Sequence, residues 1–137
     1  MRSPYFLFFS MILLSACAQR TETTLFQIKT LESTNQNSPF YVLFKATDLP
    51  HFLTDDYQKI AHQRMLAEDH PDYLDSAFFI PGETKVISIQ HPENKAIGVY
   101  FILTHPGEGW KYIASEGDKR KIKILVGDDE IKTVSSF

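Results

Sequence analysis

The sequence is poor in cysteine and has no excess of basic residues. Its 137 residues include one cysteine, Cys17, so no disulfide can form within the chain and stability must come from packing. There are 14 lysines and arginines against 17 aspartates and glutamates, a formal net charge of −3. A mildly acidic chain lacks the electrostatic footprint of a nucleic-acid-binding protein. Residues 5–14 are almost wholly apolar, but a membrane-spanning helix needs roughly 20 such residues.

The N-terminus has the parts of a secretory signal. Arg2 supplies a positive charge, residues 5–14 form the apolar segment, and Leu14-Ser15-Ala16-Cys17 follows. This order indicates a cleaved signal rather than a membrane span. The last four residues resemble the lipobox of bacterial lipoproteins, in which an aliphatic residue and two small residues precede a cysteine. The resemblance implies that Cys17 is lipidated and that residues 1–16 are removed; the alternative is an ordinary signal with a cysteine nearby.

The expected lipid determines where the protein is held. Two or more acyl chains keep a protein on a bilayer stably, whereas one chain binds marginally. Ala18 stands where an aspartate would favour retention in the inner membrane, so the lipoprotein resemblance implies the outer membrane, with the protein facing the periplasm. Residues 17–23 are expected to form a lipidated tether, and residues 24–137 a single folded domain. The covalent lipid is the only expected cofactor.

The rest of the sequence alternates between apolar and polar residues in short runs that turns separate. Alternation of this kind predicts strands. In residues 121–126, Ile122, Ile124 and Val126 are predicted to face the core. Seven or eight short strands indicate a mainly β fold, a two-sheet β-sandwich of the immunoglobulin type. The predicted strands cover residues 24–30, 39–46, 78–80, 84–90, 96–104, 110–114, 121–126 and 130–134.

A helical insertion over about residues 52–75 is predicted to interrupt the strands. Its helix is expected over residues 54–66, with Thr54 or Asp55 as the N-cap. A further turn is expected at residues 72–75. Asp55, Asp56 and His62 are interpreted as a solvated helical face rather than a catalytic cluster.

The sequence offers little that indicates bond-making chemistry. His70, His91 and His105 each precede a proline, a context that favours loops, and no close histidine pair indicates zinc. There is no nucleophile elbow and no glycine-rich phosphate loop. Trp110 and Tyr112 are interpreted as core residues of one strand rather than a sugar platform. We therefore expect no catalytic residue, no metal ligand and no enzymatic activity.

Several motifs occur in an order that resembles a known family. A polar loop ends in Ser-Pro and leads into an apolar strand at residues 38–44, and an apolar-Pro-Gly-Glu turn occupies residues 79–84. An apolar-Gly-Val-aromatic strand follows at residues 97–101, and Trp-Lys at residues 110–111. Together with the lipobox, these motifs resemble the outer-membrane lipoproteins of type VI secretion systems, the TssJ, VasD or SciN family.

That resemblance implies a transthyretin-like sandwich that works as an anchor. It implies binding to the periplasmic C-terminal region of a TssM-like inner-membrane protein, and through it an indirect link to a TssL-like protein. The contact maps to the loop between the first two strands, which comprises Leu31, Glu32, Ser33, Thr34, Asn35, Gln36, Asn37 and Ser38. The alternatives are that this loop is a plain solvated connection, that the protein serves another secretion machine, or that it is a small ligand-binding or enzyme-inhibiting lipoprotein.

Overall fold

The computed structural model describes residues 22–65, 69–118 and 120–137. The predicted signal, Cys17 and the tether up to residue 21 lie outside the described residues. The first strand already begins at the last residue assigned to the tether. The described elements are, in order, β1 (Thr23–Thr30), β2 (Phe40–Thr47), α1 (Leu49–Thr54), α2 (Tyr57–Met65), β3 (Tyr73–Phe79), β4 (Thr84–Gln90), β5 (Ala96–Ile102), β6 (Lys111–Ala114), β7 (Lys121–Val126) and β8 (Ile131–Ser136). Within these ranges no helix has both the length and the apolar character needed to cross a membrane.

The strands form two four-stranded sheets, which confirms the predicted β-sandwich. The first sheet has the order β4-β1-β7-β8 and the second the order β3-β2-β5-β6. β1 pairs in parallel with β7 and antiparallel with β4. The chain therefore changes sheet between β1 and β2, and the loop predicted to bind a partner is this crossing.

The main core lies between the inner faces of the two sheets. Phe26 of β1 and Phe44 of β2 meet across it, with their ring centroids 5.4 Å apart. Phe101 of β5 is completely buried there. In β7 the predicted alternation is confirmed, since Ile122 and Ile124 are buried while Lys121 and Lys123 are exposed.

A second, smaller core lies between the helices and the outer face of the second sheet. It contains Leu43, Phe52, Ile60, Tyr100 and Trp110. The Trp110 ring centroid lies 5.7 Å from that of Tyr100. Trp110 is a core residue, as predicted, but it does not share a face with Tyr112, which packs against the main core. The reason is that β6 begins only at Lys111, so Trp110 precedes the alternation.

The helix predicted over residues 54–66 is confirmed as α2, which begins at Tyr57, but the separate helix α1 before it was not predicted. The side chain of Asp48 caps α1 by accepting a hydrogen bond of 2.9 Å from the His51 N–H, and a proline lies in the first turn. Asp56, rather than Thr54 or Asp55, caps α2 through a bond of 2.8 Å from the Lys59 N–H. An aspartate followed by a proline in the next turn is a helix-start signal that was present in the sequence.

The first strand after the helices is longer than predicted. Residues 72–75 were expected to form a turn and residues 78–80 a short strand, but β3 runs through Tyr73–Phe79. It pairs with β2 over nearly its whole length, from Phe40 opposite Phe79 to Lys45 opposite Tyr73. The backbone pairing that β2 offers outweighs the weak strand propensity of Asp75 and Ser76.

Asp55 lies in the corner between the two helices and is buried rather than solvated, contrary to the prediction. The Tyr100 hydroxyl donates a 3.0 Å hydrogen bond to its carboxylate, and the Nζ atoms of Lys59 and Lys45 lie 3.2 Å and 3.6 Å from it. Burial, followed by the Asp55 charge, raises the pKa of Tyr100, which therefore stays a neutral donor. These contacts fix the helix corner against β2 and β5; Asp56 and His62 are exposed, as predicted.

Truncation of Phe101 tests whether its side chain faces the core between the two sheets. We expect Phe101→Ala to lower the free energy of unfolding by about 3–5 kcal/mol, because it leaves a cavity between the sheets. Lys123→Ala, on the exposed face of β7, should change it by no more than about 0.5 kcal/mol. Chemical denaturation measures both, and equal losses would contradict the described register.

The Asp55 network can be tested with the aspartate next to it as the control. Asp55→Asn removes the charge that faces two lysines and should cost about 1.5–3 kcal/mol in unfolding free energy. Asp56→Asn should cost far less, since asparagine caps helices about as well as aspartate. Thermal and urea unfolding of both variants would show the difference, and equal stabilities would mean that the buried carboxylate does not stabilise the corner.

Candidate partner-binding surface

Four loops meet at one end of the sandwich, which we call the loop end: residues 31–39, 80–83, 103–110 and 127–130. Backbone hydrogen bonds join them. The Gly82 N–H donates to the Leu31 carbonyl at 3.1 Å, and the Gly107 N–H donates to the Asp129 carbonyl at 2.8 Å. The predicted partner-binding loop is therefore one member of a connected surface rather than an isolated connection.

The predicted loop contains an unusual backbone turn. Residues Asn35, Gln36 and Asn37 have φ angles of 53°, 55° and 58°, in the left-handed region. A left-handed conformation costs roughly 1–2 kcal/mol per L-residue, and asparagine tolerates it better than most other residues. Other contacts must therefore hold the turn in place.

The Asn35 side chain provides those contacts. It is buried, and its amide nitrogen donates to the carbonyls of Ser38 at 3.1 Å and Pro39 at 3.2 Å. Its carbonyl oxygen accepts a bond of 2.8 Å from the Thr104 N–H. The backbone N–H of Asn35 donates to the Asp128 carbonyl at 2.7 Å. One residue thus joins the crossing loop to a loop of each sheet.

The structure divides the eight predicted contact residues into two groups. Thr34 and Asn35 are buried, and the Thr34 hydroxyl accepts a bond of 2.9 Å from the Leu31 N–H. Leu31 is half-buried. The side chains that a partner can reach are those of Glu32, Ser33, Gln36, Asn37 and Ser38. The family resemblance implied a partner contact along the whole loop, whereas the buried pair fix the shape of the loop.

Alanine substitutions can separate structural from exposed asparagines in this turn. Asn35→Ala removes three side-chain hydrogen bonds and should lower the free energy of unfolding by about 2–4 kcal/mol. Asn37→Ala makes the same change at nearly the same φ but at an exposed position, and should cost about 1 kcal/mol or less. Calorimetric unfolding gives both values. Equal costs would mean that the Asn35 hydrogen bonds do not hold the turn.

The loop end is strongly acidic. Its loops contain six of the 17 acidic residues and none of the 14 lysines and arginines. The Ile80 N–H, which donates to the Glu83 carboxylate at 2.9 Å, lowers the pKa of that group, with a further contribution from Lys85. The Glu83 carboxylate therefore stays charged at neutral pH. The acidic residues are Glu32, Glu83, Glu108, Asp128, Asp129 and Glu130.

Cavities lie at both ends of the molecule. At the loop end, a shallow groove of about 260 Å³ is lined by Ser33, Asn35, Gln36, His105, Asp128 and Asp129. At the opposite end, next to Glu22, a cleft of about 780 Å³ opens between the start of β3 and the end of β4.

His70, His91 and His105 lie outside helices and strands, as predicted. In the described ranges, no group of three or more histidine, cysteine or acidic side chains is placed to hold a metal ion.

The fold matches that of solved proteins from type VI secretion systems. Lip of Serratia marcescens, a membrane-bound component of the system, superposes with a TM-score of 0.65 at 17% identity, over 85% of this chain and 99% of that one. The type VI lipoprotein TssJ1 of Pseudomonas aeruginosa gives 0.64 at 14% identity, over 85% and 97%. A chain in the structure of the TssM C-terminal domain from EAEC gives 0.64 at 18% identity, over 85% and 99%. The expected resemblance to the TssJ lipoproteins is confirmed.

The sequence itself gives the family. Residues 41–126 match the family model described as IglE, N-terminal domain. This match covers more than half of the chain, which therefore belongs to that family. No curated protein matches the sequence.

Proposed function

We propose that this protein anchors a type VI secretion envelope complex to the outer membrane by binding the periplasmic C-terminal region of a TssM-like inner-membrane protein. The observation that carries the proposal is the position of the loop end in a TssJ-like sandwich. The loop end is exposed, and β1 separates it from the side of the molecule where the lipid is expected. The similar solved structures support it, since one is a membrane-bound secretion component and another contains a TssM C-terminal domain.

The geometry suits an anchor with two separate ends. Glu22, the first described residue, follows Cys17 by five residues. A fully extended chain of that length spans about 17 Å, so the lipid would be held close to the start of β1. β1 then carries the chain over 8 residues to the loop end, a rise of about 26 Å. Lipid attached at Cys17 would hold one end near the bilayer while the loop end points towards the periplasm. This role requires no catalytic residue and no cofactor beyond the lipid.

The binding part of the proposal is tested with residues 18–137, without lipid, and the periplasmic region of the TssM-like protein from the same organism. We expect the combined change Glu32→Ser, Gln36→Gly and Asn37→Gly to weaken binding about tenfold or more in calorimetry. Its melting temperature should stay near that of the wild type, because the three side chains are exposed.

Two exposed glutamates at the opposite end provide the control. The combined change Glu93→Ser and Glu116→Ser should leave the affinity for the TssM-like region unchanged. Full binding by the triple loop variant would remove the loop from the contact, and no binding by the wild type would end the proposed partnership.

The anchoring part is tested in cells. Cys17→Ser should abolish lipid labelling and fractionation with the outer membrane, and with them type VI secretion. The same change should leave binding to the partner in solution intact, because Cys17 precedes the domain predicted over residues 24–137. Normal secretion by the Cys17→Ser strain would contradict the anchor role.

A further inference from the structure

A partly exposed apolar row lies on the outer face of the second sheet, beside the loop end. Phe78, Tyr41 and Ile102 face one another across β3, β2 and β5 in the strand register. Their chain neighbours Phe40 and Phe79 stack in the main core, so Phe78 and Tyr41 must point outwards. The Tyr41 and Phe78 ring centroids are 5.1 Å apart.

The two helices cover this row only in part, since Ile102 packs against the second core and the guanidinium of Arg64, from α2, lies over the Tyr41 ring. The helices pack over the next positions on the same face, Leu43 and Tyr100. Tyr41 is 37% exposed, Phe78 is 44% exposed and Ile80, which continues the same face past β3, is 52% exposed. Single exposed apolar side chains are normal, but a contiguous group with a polar rim marks an interaction surface.

Arg64 gives this surface a polar group at its centre. Its guanidinium carbon lies 3.6 Å from the centre of the Tyr41 ring. Its Nε atom is buried and has no hydrogen-bond partner among the described residues. Tyrosine, phenylalanine and arginine are enriched in the energetically dominant parts of protein interfaces.

We propose that the surface of Tyr41, Phe78, Ile80 and Arg64 is the apolar centre of the contact with the periplasmic partner, and that the acidic loop end is its rim. The inference rests on the proposed function and specifies the chemistry of that partner. The partner presents apolar side chains flanked by lysines or arginines.

Position and charge support this assignment. The apolar surface is continuous with three loops of the loop end, since Tyr41 is the second residue after residues 31–39, Ile80 begins residues 80–83, and Ile102 leads into residues 103–110. Six acidic residues and no lysine or arginine in the four loops select a basic surface, because complementary charge steers association and disfavours wrong partners. The same charge opposes a second copy of this chain and an anionic lipid surface.

The experiment compares exposed apolar residues on the two sheets. Val86 is 58% exposed on β4, in the first sheet, and provides the matched control. In calorimetry with the periplasmic region of the TssM-like protein, Phe78→Ser and Ile80→Ser should each weaken binding about tenfold or more, the loss typical of central interface residues. Val86→Ser should change the affinity less than about twofold. Melting temperatures show whether each variant is folded. If Phe78→Ser unfolds, Ile80→Ser still tests the surface, because Ile80 lies outside β3.

Charge reversal tests the rim. Glu108→Lys and Asp129→Lys should each weaken binding severalfold, and Glu93→Lys at the opposite end should not. Wild-type affinity should fall as salt rises from about 0.05 to about 0.5 M, because salt screens the exposed charges.

The outcomes separate this inference from the proposed function. Wild-type binding that folded Phe78→Ser and Ile80→Ser leave unchanged would overturn the apolar centre but keep the anchor. Binding unaffected by salt and by the rim variants would overturn the basic chemistry of the partner. If the wild type does not bind the TssM-like region, both fail. Self-association, or binding to anionic vesicles, that Phe78→Ser abolishes would assign the surface to a different occupant.

Discussion

The hydrogen bonds of Asn35 are the contacts on which the organisation of the loop end depends. The chain crosses from the first sheet to the second at this residue. Its backbone N–H binds the turn after β7 in the first sheet, while its side chain binds Thr104, after β5 in the second. Three successive left-handed residues would be unfavourable in a free loop. The bonds made by Asn35 offset that cost, so the exposed side chains of the loop are presented on a fixed frame.

The position of β1 suits a protein that is pulled at both ends. β1 follows the expected lipid attachment and ends at the loop end, and it is paired on both sides, with β4 and with β7. Its registers run from Thr23 opposite Gln90 and from Leu25 opposite Lys121. A force along β1 acts across all of these ladder bonds together rather than one after another. In the proposed anchor, the same strand would separate the two attachment points and distribute the load between them.

The sequence predicted those elements whose residues face a core on one side and water on the other. In β7 the alternation of isoleucines and lysines fixes both the strand and its face, and β4 was predicted with its observed ends. β3 was predicted too short because pairing with β2, not its own residues, makes Asp75 and Ser76 extended. The burial of Asp55 and Asn35 was missed for a related reason. A polar residue in a sequence predicts an exposed position unless the residues that would pair with it in the interior can be recognised. Here Tyr100 and Lys45 pair with Asp55, and Thr104 pairs with Asn35, from distant parts of the sequence.

The partly exposed apolar row follows from where the helices end on the sheet. Asp55 holds the corner between α1 and α2 over Tyr100, one position away from Ile102 on the same outer face of β5. Helices fixed there bury Leu43 and Tyr100, whereas Tyr41, under the Arg64 side chain of α2, and Phe78 stay partly exposed. Both faces of β2 carry apolar residues, which indicates that both faces are covered. The sequence does not indicate what covers the outer one. The Asp55 contacts determine which part of the outer face the helices bury. The part beside the acidic loops stays partly exposed, and there we propose that the partner binds.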